Sequence, residues 1–314
     1  MEQNFLDVLR DHTAGDPMRE GIKWTNLTRG EISLRLGERG TPAGKRVVKQ
    51  LLKKHRYVKR KARKVKAMGP RHPDRNAQFQ NIARLKQEYL EAGQPVVSID
   101  TKKKELLGSF YRDGKLYTQE PVEVFDHDFP TAASGAVFPH GIYDVVLNRA
   151  HINLGTSHET SQFACDSIER WWQQQGCQQY PQATKLLLLC DGGGSNSASR
   201  YVFKEELQKL ADRLGLEIRV AHYLPYCSKY HPIEHRLFPH VTRACQGVVF
   251  HTIQIVKGLM EQTKTTTGLR VTVDIIDQGY ELGRKCAKGF KENMKIIFDG
   301  FLPKWNYRAI PAAT

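Results

Sequence analysis

Apolar positions along the chain follow two rhythms. Up to residue 94 they recur three and four apart, the spacing of helices. Between 45 and 57, Val47, Val48, Leu51 and Leu52 share one helical face. Upstream, Thr28 suits the N-cap of a short helix carrying Ile32, Leu34 and Leu36, which Gly37 and Gly40 end. Thr41-Pro42 then reads as a hydroxyl cap and a first-turn proline for a second helix over 42–54. Two short helices around a glycine-containing turn fit a helix-turn-helix, although any αα-hairpin gives the same pattern. A Gly-Pro and a His-Pro follow, then a helical stretch ending at Gly93 and Pro95.

Beyond Pro95 the rhythm becomes that of strands. VVSID (96–100) and ELLGSFYR (105–112) read as strands, with a hairpin-type turn at 112–115, and GIYDVVLNRAHI (141–152) reads as a third. Residues 157–176 form an amphipathic helix capped by Ser157 and closed by Gly176. TKLLLLCD (184–191) is apolar throughout, as a central strand covered on both faces is. A helix over 197–215, a strand over 216–224 and a helix over 232–248 opening on Pro232 complete the pattern. Early strands followed by βα units predict an α/β fold with a mixed sheet and helices on both faces. The expected division is 1–66, a small all-α helix-turn-helix DNA-binding region; 67–94, a helical linker; and 95–314, the catalytic domain.

Charge sharpens this picture. The 314 residues carry a formal +15. Residues 1–95 hold 22 Lys+Arg against 10 Asp+Glu, whereas the remainder is nearly balanced. Positions 45–66 contain twelve basic residues and no acidic one. A solvated basic face is the bland reading, and a polyanion-binding surface the sharper one. Arg46, Lys49, Lys53, Lys54, Arg60 and Arg63 are the candidate DNA contacts there. The N-terminus lacks a signal-peptide pattern, and no stretch is apolar enough to span a bilayer, so a cytoplasmic, nucleoid-associated protein without membrane contact is expected. Six scattered cysteines without a C-x-x-C pair favour packing over a disulfide or zinc framework.

Three acids fall at element ends. Asp100 ends the first strand, Asp191 ends the LLLLC strand, and Glu234 lies in the first turn of the helix from Pro232. Each alone has an ordinary explanation: an ion pair with Lys102 or Lys104, a turn before glycines 192–194, or a first-turn glutamate. Together, at the carboxyl ends of sheet strands, they form a candidate cation site, because hard divalent ions prefer carboxylate oxygens. No phosphate-binding G-x-x-x-x-G-K-[ST] or G-x-G-x-x-G motif is present.

The stretches SIDTKKKE, LLLLCDGGGSN and KYHPIEHRLF, with GDPM at 15–18 and RHPDRNAQF at 71–79, closely resemble the ISAzo13 family of bacterial insertion-sequence transposases. The similarity covers nearly the whole chain. It implies a ribonuclease-H-like DDE core with Asp100, Asp191 and Glu234 as catalytic and metal-binding carboxylates. It also implies Mg²⁺ or Mn²⁺, two ions, as cofactor. His231 stands where related transposases commonly carry Asn. The chain also begins later than family members usually do, so an N-terminally truncated, inactive copy is one expectation.

The function so implied is metal-dependent phosphodiester cleavage and strand transfer at insertion-sequence ends. Lys102, His235 and Arg236 are further candidates for DNA contact, alongside bland readings as rim or helix-surface residues. Trp171, Trp172, Tyr223, Tyr226 and Tyr230 read first as packing. The implied partners are double-stranded DNA, both terminal inverted repeats and target, and further copies of the chain, since pairing two ends needs at least a dimer. The alternative is a non-catalytic DNA-binding remnant or regulator of the element.

Overall fold

A computed structural model describes residues 1–16, 19–60 and 72–312. The chain divides into two compact units, Met1–Lys66 and Ala67–Thr314.

The first unit contains α1 (Glu2–Arg10), a hairpin of β1 (Thr13–Asp16) and β2 (Arg19–Thr25), α2 (Arg29–Glu38) and α3 (Lys45–Lys54). Its small core joins Phe5, Val8 and Leu9 of α1 to Ile32 and Leu36 of α2 and Val48 of α3. Thr28 caps α2 in a reciprocal capping box with Glu31, which satisfies two backbone N–H groups at the helix start. Three expectations need correction. The region is not all-α, because a two-stranded hairpin lies between α1 and α2. Leu34 is 65% exposed, since only Ile32 and Leu36 share the buried face. The second helix starts at Lys45 with Gly44 as its cap, and the Thr41 hydroxyl instead donates to the Leu36 carbonyl.

The second unit opens with α4 (Arg75–Glu91), expected as a linker. It packs Ile82, Leu85 and Tyr89 against Val96, Leu187 and Leu189 of the sheet. The sheet continues through β3 (Val96–Thr101), β4 (Glu105–Leu107), β5 (Gly135–Asp144) and β6 (Arg149–Gly155). Next come α5 (Ser161–Trp171), a π-turn, the short α6 (Cys177–Gln179), β7 (Lys185–Cys190), α7 (Tyr201–Leu214) and β8 (Glu217–His222). Then follow α8 (Pro232–Arg236), α9 (Phe238–Ala244), α10 (Ile253–Glu261), β9 (Arg270–Ile276), α11 (Phe290–Asn293), β10 (Ile296–Phe298) and β11 (Asn306–Ala309).

The strands lie in the order β10-β11-β8-β7-β3-β5-β6-β9, with β4 added onto β5. The β6-β5-β3 meander is antiparallel, while β7 and β8 run parallel to β3. This is a mixed sheet flanked by helices. Its central strand shows why LLLLC is apolar throughout. Leu186, Leu188 and Cys190 pack with α5 and α7 on one face, while Leu187 and Leu189 meet α4 on the other.

Several boundaries differ from the sequence reading. ELLGSFYR is a strand only to Leu107, because Gly108 turns the backbone at φ +130°. GIYDVVLNRAHI is two strands: the Asp144 carboxylate accepts from the N–H groups of Val146 and Leu147, and Asn148 adopts φ +52°. Thr160, not Ser157, caps α5. The helix expected over 232–248 breaks at Leu237, ahead of Pro239, which has no N–H to continue it. Trp171, Trp172 and Tyr223 are buried as expected, but Tyr226 and Tyr230 are exposed. Among the described residues no helix is long and apolar enough to cross a membrane.

Candidate active site

The parallel pairing of β3 with β7 sets the site. Val96 lies opposite Leu187, Val97 opposite Leu188 and Ser98 opposite Leu189. Continued by two residues, that register brings Asp100 beside Asp191. Glu234 joins them because the Ile233 N–H donates to the Ser98 hydroxyl at 3.2 Å, holding the start of α8 against β3. The structure therefore brings all three sequence-predicted carboxylates together.

The electrostatics reflect this proximity. Burial first, and then the charges of Asp191 and Glu234, push the Asp100 carboxyl up to about 8, and a protonated Asp100 can donate to Glu234. The Thr101 N–H donates to Asp100 Oδ1 at 2.8 Å and opposes that shift. Burial also raises the carboxyl of Asp191, against a hydrogen bond from the Gly193 N–H. Among the described residues no Lys or Arg lies within ion-pair distance of the three. Nor do three His, Cys, Asp or Glu side chains already converge as a metal-binding group. The donor chemistry nonetheless fits a divalent cation: clustered carboxylates, half-buried and without a Lys or Arg partner among the described residues.

Three residues that the acid pattern alone did not single out hold this arrangement. His231 is fully buried, and its Nε2–H donates to the Leu189 carbonyl at 2.9 Å. His222 donates from Nδ1 to the Asp191 carbonyl at 2.7 Å and accepts from the Tyr307 hydroxyl at 2.9 Å. Burial pushes both imidazoles down to about 4, so both are neutral at pH 7. The Ser161 hydroxyl donates to the Ser195 carbonyl and pins the glycine loop. The HPIE stretch was the only sequence signal for any of these. The glycines serve packing as well as access. A Cβ on Gly192 would sit 3.0 Å from the Trp305 ring and 3.3 Å from the Tyr223 carbonyl, and Gly194 adopts φ +61°.

The basic candidates are more dispersed. Arg46, Lys49, Lys53, Lys54 and Arg60 are exposed, Lys54 facing Glu2 at 2.6 Å. Arg63 lies outside the described residues. His235 and Arg236 are exposed beside Glu234. Lys102 differs, being mostly buried and paired with Glu105, which also binds Arg112 at 2.7 Å. The structure does not present it as a free cation.

The family described as Rhodopirellula transposase DDE domain matches residues 4–311. The chain belongs to that family. None of the curated proteins matches it. This transposase DDE domain also resembles solved structures of the Mos1 transposase. A pre-cleavage Mos1 transpososome is 12% identical with a TM-score of 0.48. A Mos1 paired-end complex with left transposon end is 13% identical at 0.46, and a Mos1 mariner paired-end complex with Mn 11% at 0.44. In each case the likeness covers 83% of this chain and 70% of the other.

Proposed function

We propose that this transposase cuts and joins DNA strands at insertion-sequence ends, with Asp100, Asp191 and Glu234 as its catalytic carboxylates. The observation that carries the reading is the convergence of these acids around the carboxyl ends of β3 and β7, where burial and the charges of Asp191 and Glu234 push the Asp100 carboxyl up. The same three residues would hold Mg²⁺ or Mn²⁺, two ions in the full site. When bound, these ions supply Lewis-acid stabilisation of charge at the reacting phosphodiester. The attacking groups are water for cleavage and a DNA 3′-hydroxyl for joining, with no covalent protein–DNA intermediate. His235 and Arg236, exposed beside Glu234, would contact the scissile phosphate.

Residues 1–66 would supply most of the duplex affinity through Arg46, Lys49, Lys53, Lys54, Arg60 and Arg63, with 95–314 as the catalytic domain. Two copies would act together to pair two DNA ends. The test is cleavage of an end-sequence duplex in Mg²⁺ or Mn²⁺, beside a gel shift on the same DNA. Asp191→Asn, Asp100→Asn and Glu234→Gln should each lower cleavage by orders of magnitude while binding persists, and their effects should not add. Cleavage undiminished in Asp191→Asn would refute the assignment. Binding without cleavage by the unmutated protein would make it a DNA-binding remnant.

A further inference from the structure

Building on the reading of these carboxylates as cation ligands, we propose that His231 supplies a nitrogen donor to the same site and biases it toward Mn²⁺ over Mg²⁺. This one residue meets all three acid-bearing elements. Nε2 reaches the Leu189 carbonyl on β7, Nδ1 faces Asp100 on β3, and the residue's own carbonyl accepts from the Glu234 N–H on α8. A carbonyl only accepts, so Nε2 carries the hydrogen and Nδ1 is the ring atom left to offer a lone pair. That lone pair is fully buried, has no hydrogen-bond donor among the described residues, and lies 3.9 Å from Asp100 Oδ2.

A ring nitrogen and a carboxylate oxygen facing each other in a buried site need a positive centre between them, a proton or a metal ion. The 3.9 Å separation falls within the range for two ligands sharing one ion, about 3 Å when adjacent and about 4 Å when opposite, for bonds of about 2.1 Å. The donor type sets the preference. Mg²⁺ takes oxygen ligands almost exclusively, whereas imidazole nitrogen suits first-row transition ions. The ring is also fixed in direction: Leu189 holds one edge, and the Tyr223 ring packs 5.1 Å away, centroid to centroid. A nitrogen donor held this way keeps its lone pair aimed at the carboxylates before any ion arrives.

The experiment uses the full chain and Mn²⁺ as the probe. Pulsed electron paramagnetic resonance should show ¹⁴N modulation from bound Mn²⁺, and competition should show Mn²⁺ binding about 10-fold or more tighter than Mg²⁺. His231→Gln, whose amide can still donate to the Leu189 carbonyl, should lose both the modulation and the preference while retaining Mg²⁺ binding. His231→Asn should do the same and stands in if the Gln variant does not fold. His235→Ala, which removes the neighbouring imidazole, should leave the modulation intact. Bound Mn²⁺ without ¹⁴N modulation, or an unchanged preference in the folded His231 variants, would overturn the assignment of His231 alone. Failure of the unmutated protein to bind either ion would overturn it together with the carboxylate site.

Discussion

Asp100→Asn should stabilise the cation-free protein, by an amount that depends on pH. The Asp100 side chain is 17% exposed and its carboxyl titrates at about 8, because burial and two neighbouring carboxylates disfavour its charge. In an unfolded chain the same group titrates near about 3.9. A folded pKa raised above the unfolded one costs nothing while both states are protonated. The cost then grows as pH rises through the window and levels off above the folded value. At pH 7 the interval is about 3 units, a ceiling of about 4 kcal/mol. Because Asp191 and Glu234 share the titration, about 2–3 kcal/mol is the expected gain. Asn keeps an oxygen for the Thr101 N–H and removes the charge.

The assay is urea unfolding in EDTA, wild type against Asp100→Asn, at pH 7 and near pH 4. The gain should be full at the first pH and close to zero at the second. Adding Mn²⁺ should then stabilise the wild type and leave the variant nearly unchanged, because only a state that binds the ion is stabilised by it. An equal gain at both pH values, or no gain at pH 7, would show that Asp100 is not held near other charges.

Gly192→Ala should cost about 1–3 kcal/mol by overpacking against Trp305 and the Tyr223 carbonyl, whereas Gly193→Ala, whose nearest neighbour is the Asp191 carboxylate at 3.7 Å, should change urea stability far less. Combining Arg46→Ala, Lys49→Ala and Lys53→Ala should weaken duplex binding and reduce the log–log salt slope by about 0.9 per lost phosphate contact, read by anisotropy titrations at several salt concentrations. His140 is buried with neither ring nitrogen hydrogen-bonded among the described residues, and burial pushes it down to about 3. Its contribution should be complete above about 6.5 and decline as pH falls toward its folded value, so His140→Gln should flatten the loss of urea stability between pH 7 and pH 5.

What could be read along the chain was whatever repeats locally. The LLLLC strand and the Thr28 cap follow from patterns a few residues long. The three acids stood out because each ends such a pattern, but their meeting depends on the pairing of Ser98 with Leu189 and on the Ser98–Ile233 hydrogen bond, contacts that no local spacing encodes. Lys102 showed the opposite limit: TKKKE holds both its charge and its partner Glu105, but that the two pair, with Arg112 on the same carboxylate, was set by the fold. Strands β9, β10 and β11 went unread because they are short or half-exposed, and their place is fixed by strands far away in sequence.

Strand β11 lies between β8 and β10, antiparallel to both, and its Tyr307 holds the imidazole that tethers Asp191. Asn306, in the same strand, is hydrogen-bonded to Gln78 of α4, 228 residues earlier. During synthesis Asp100, Asp191 and Glu234 all leave the ribosome before this strand exists. A nascent chain can thus carry every acid and still lack the scaffold that fixes the Asp191 loop. Vectorial folding would delay assembly of the site until β11 has emerged, so that a product terminated before this strand would hold the acids without their scaffold.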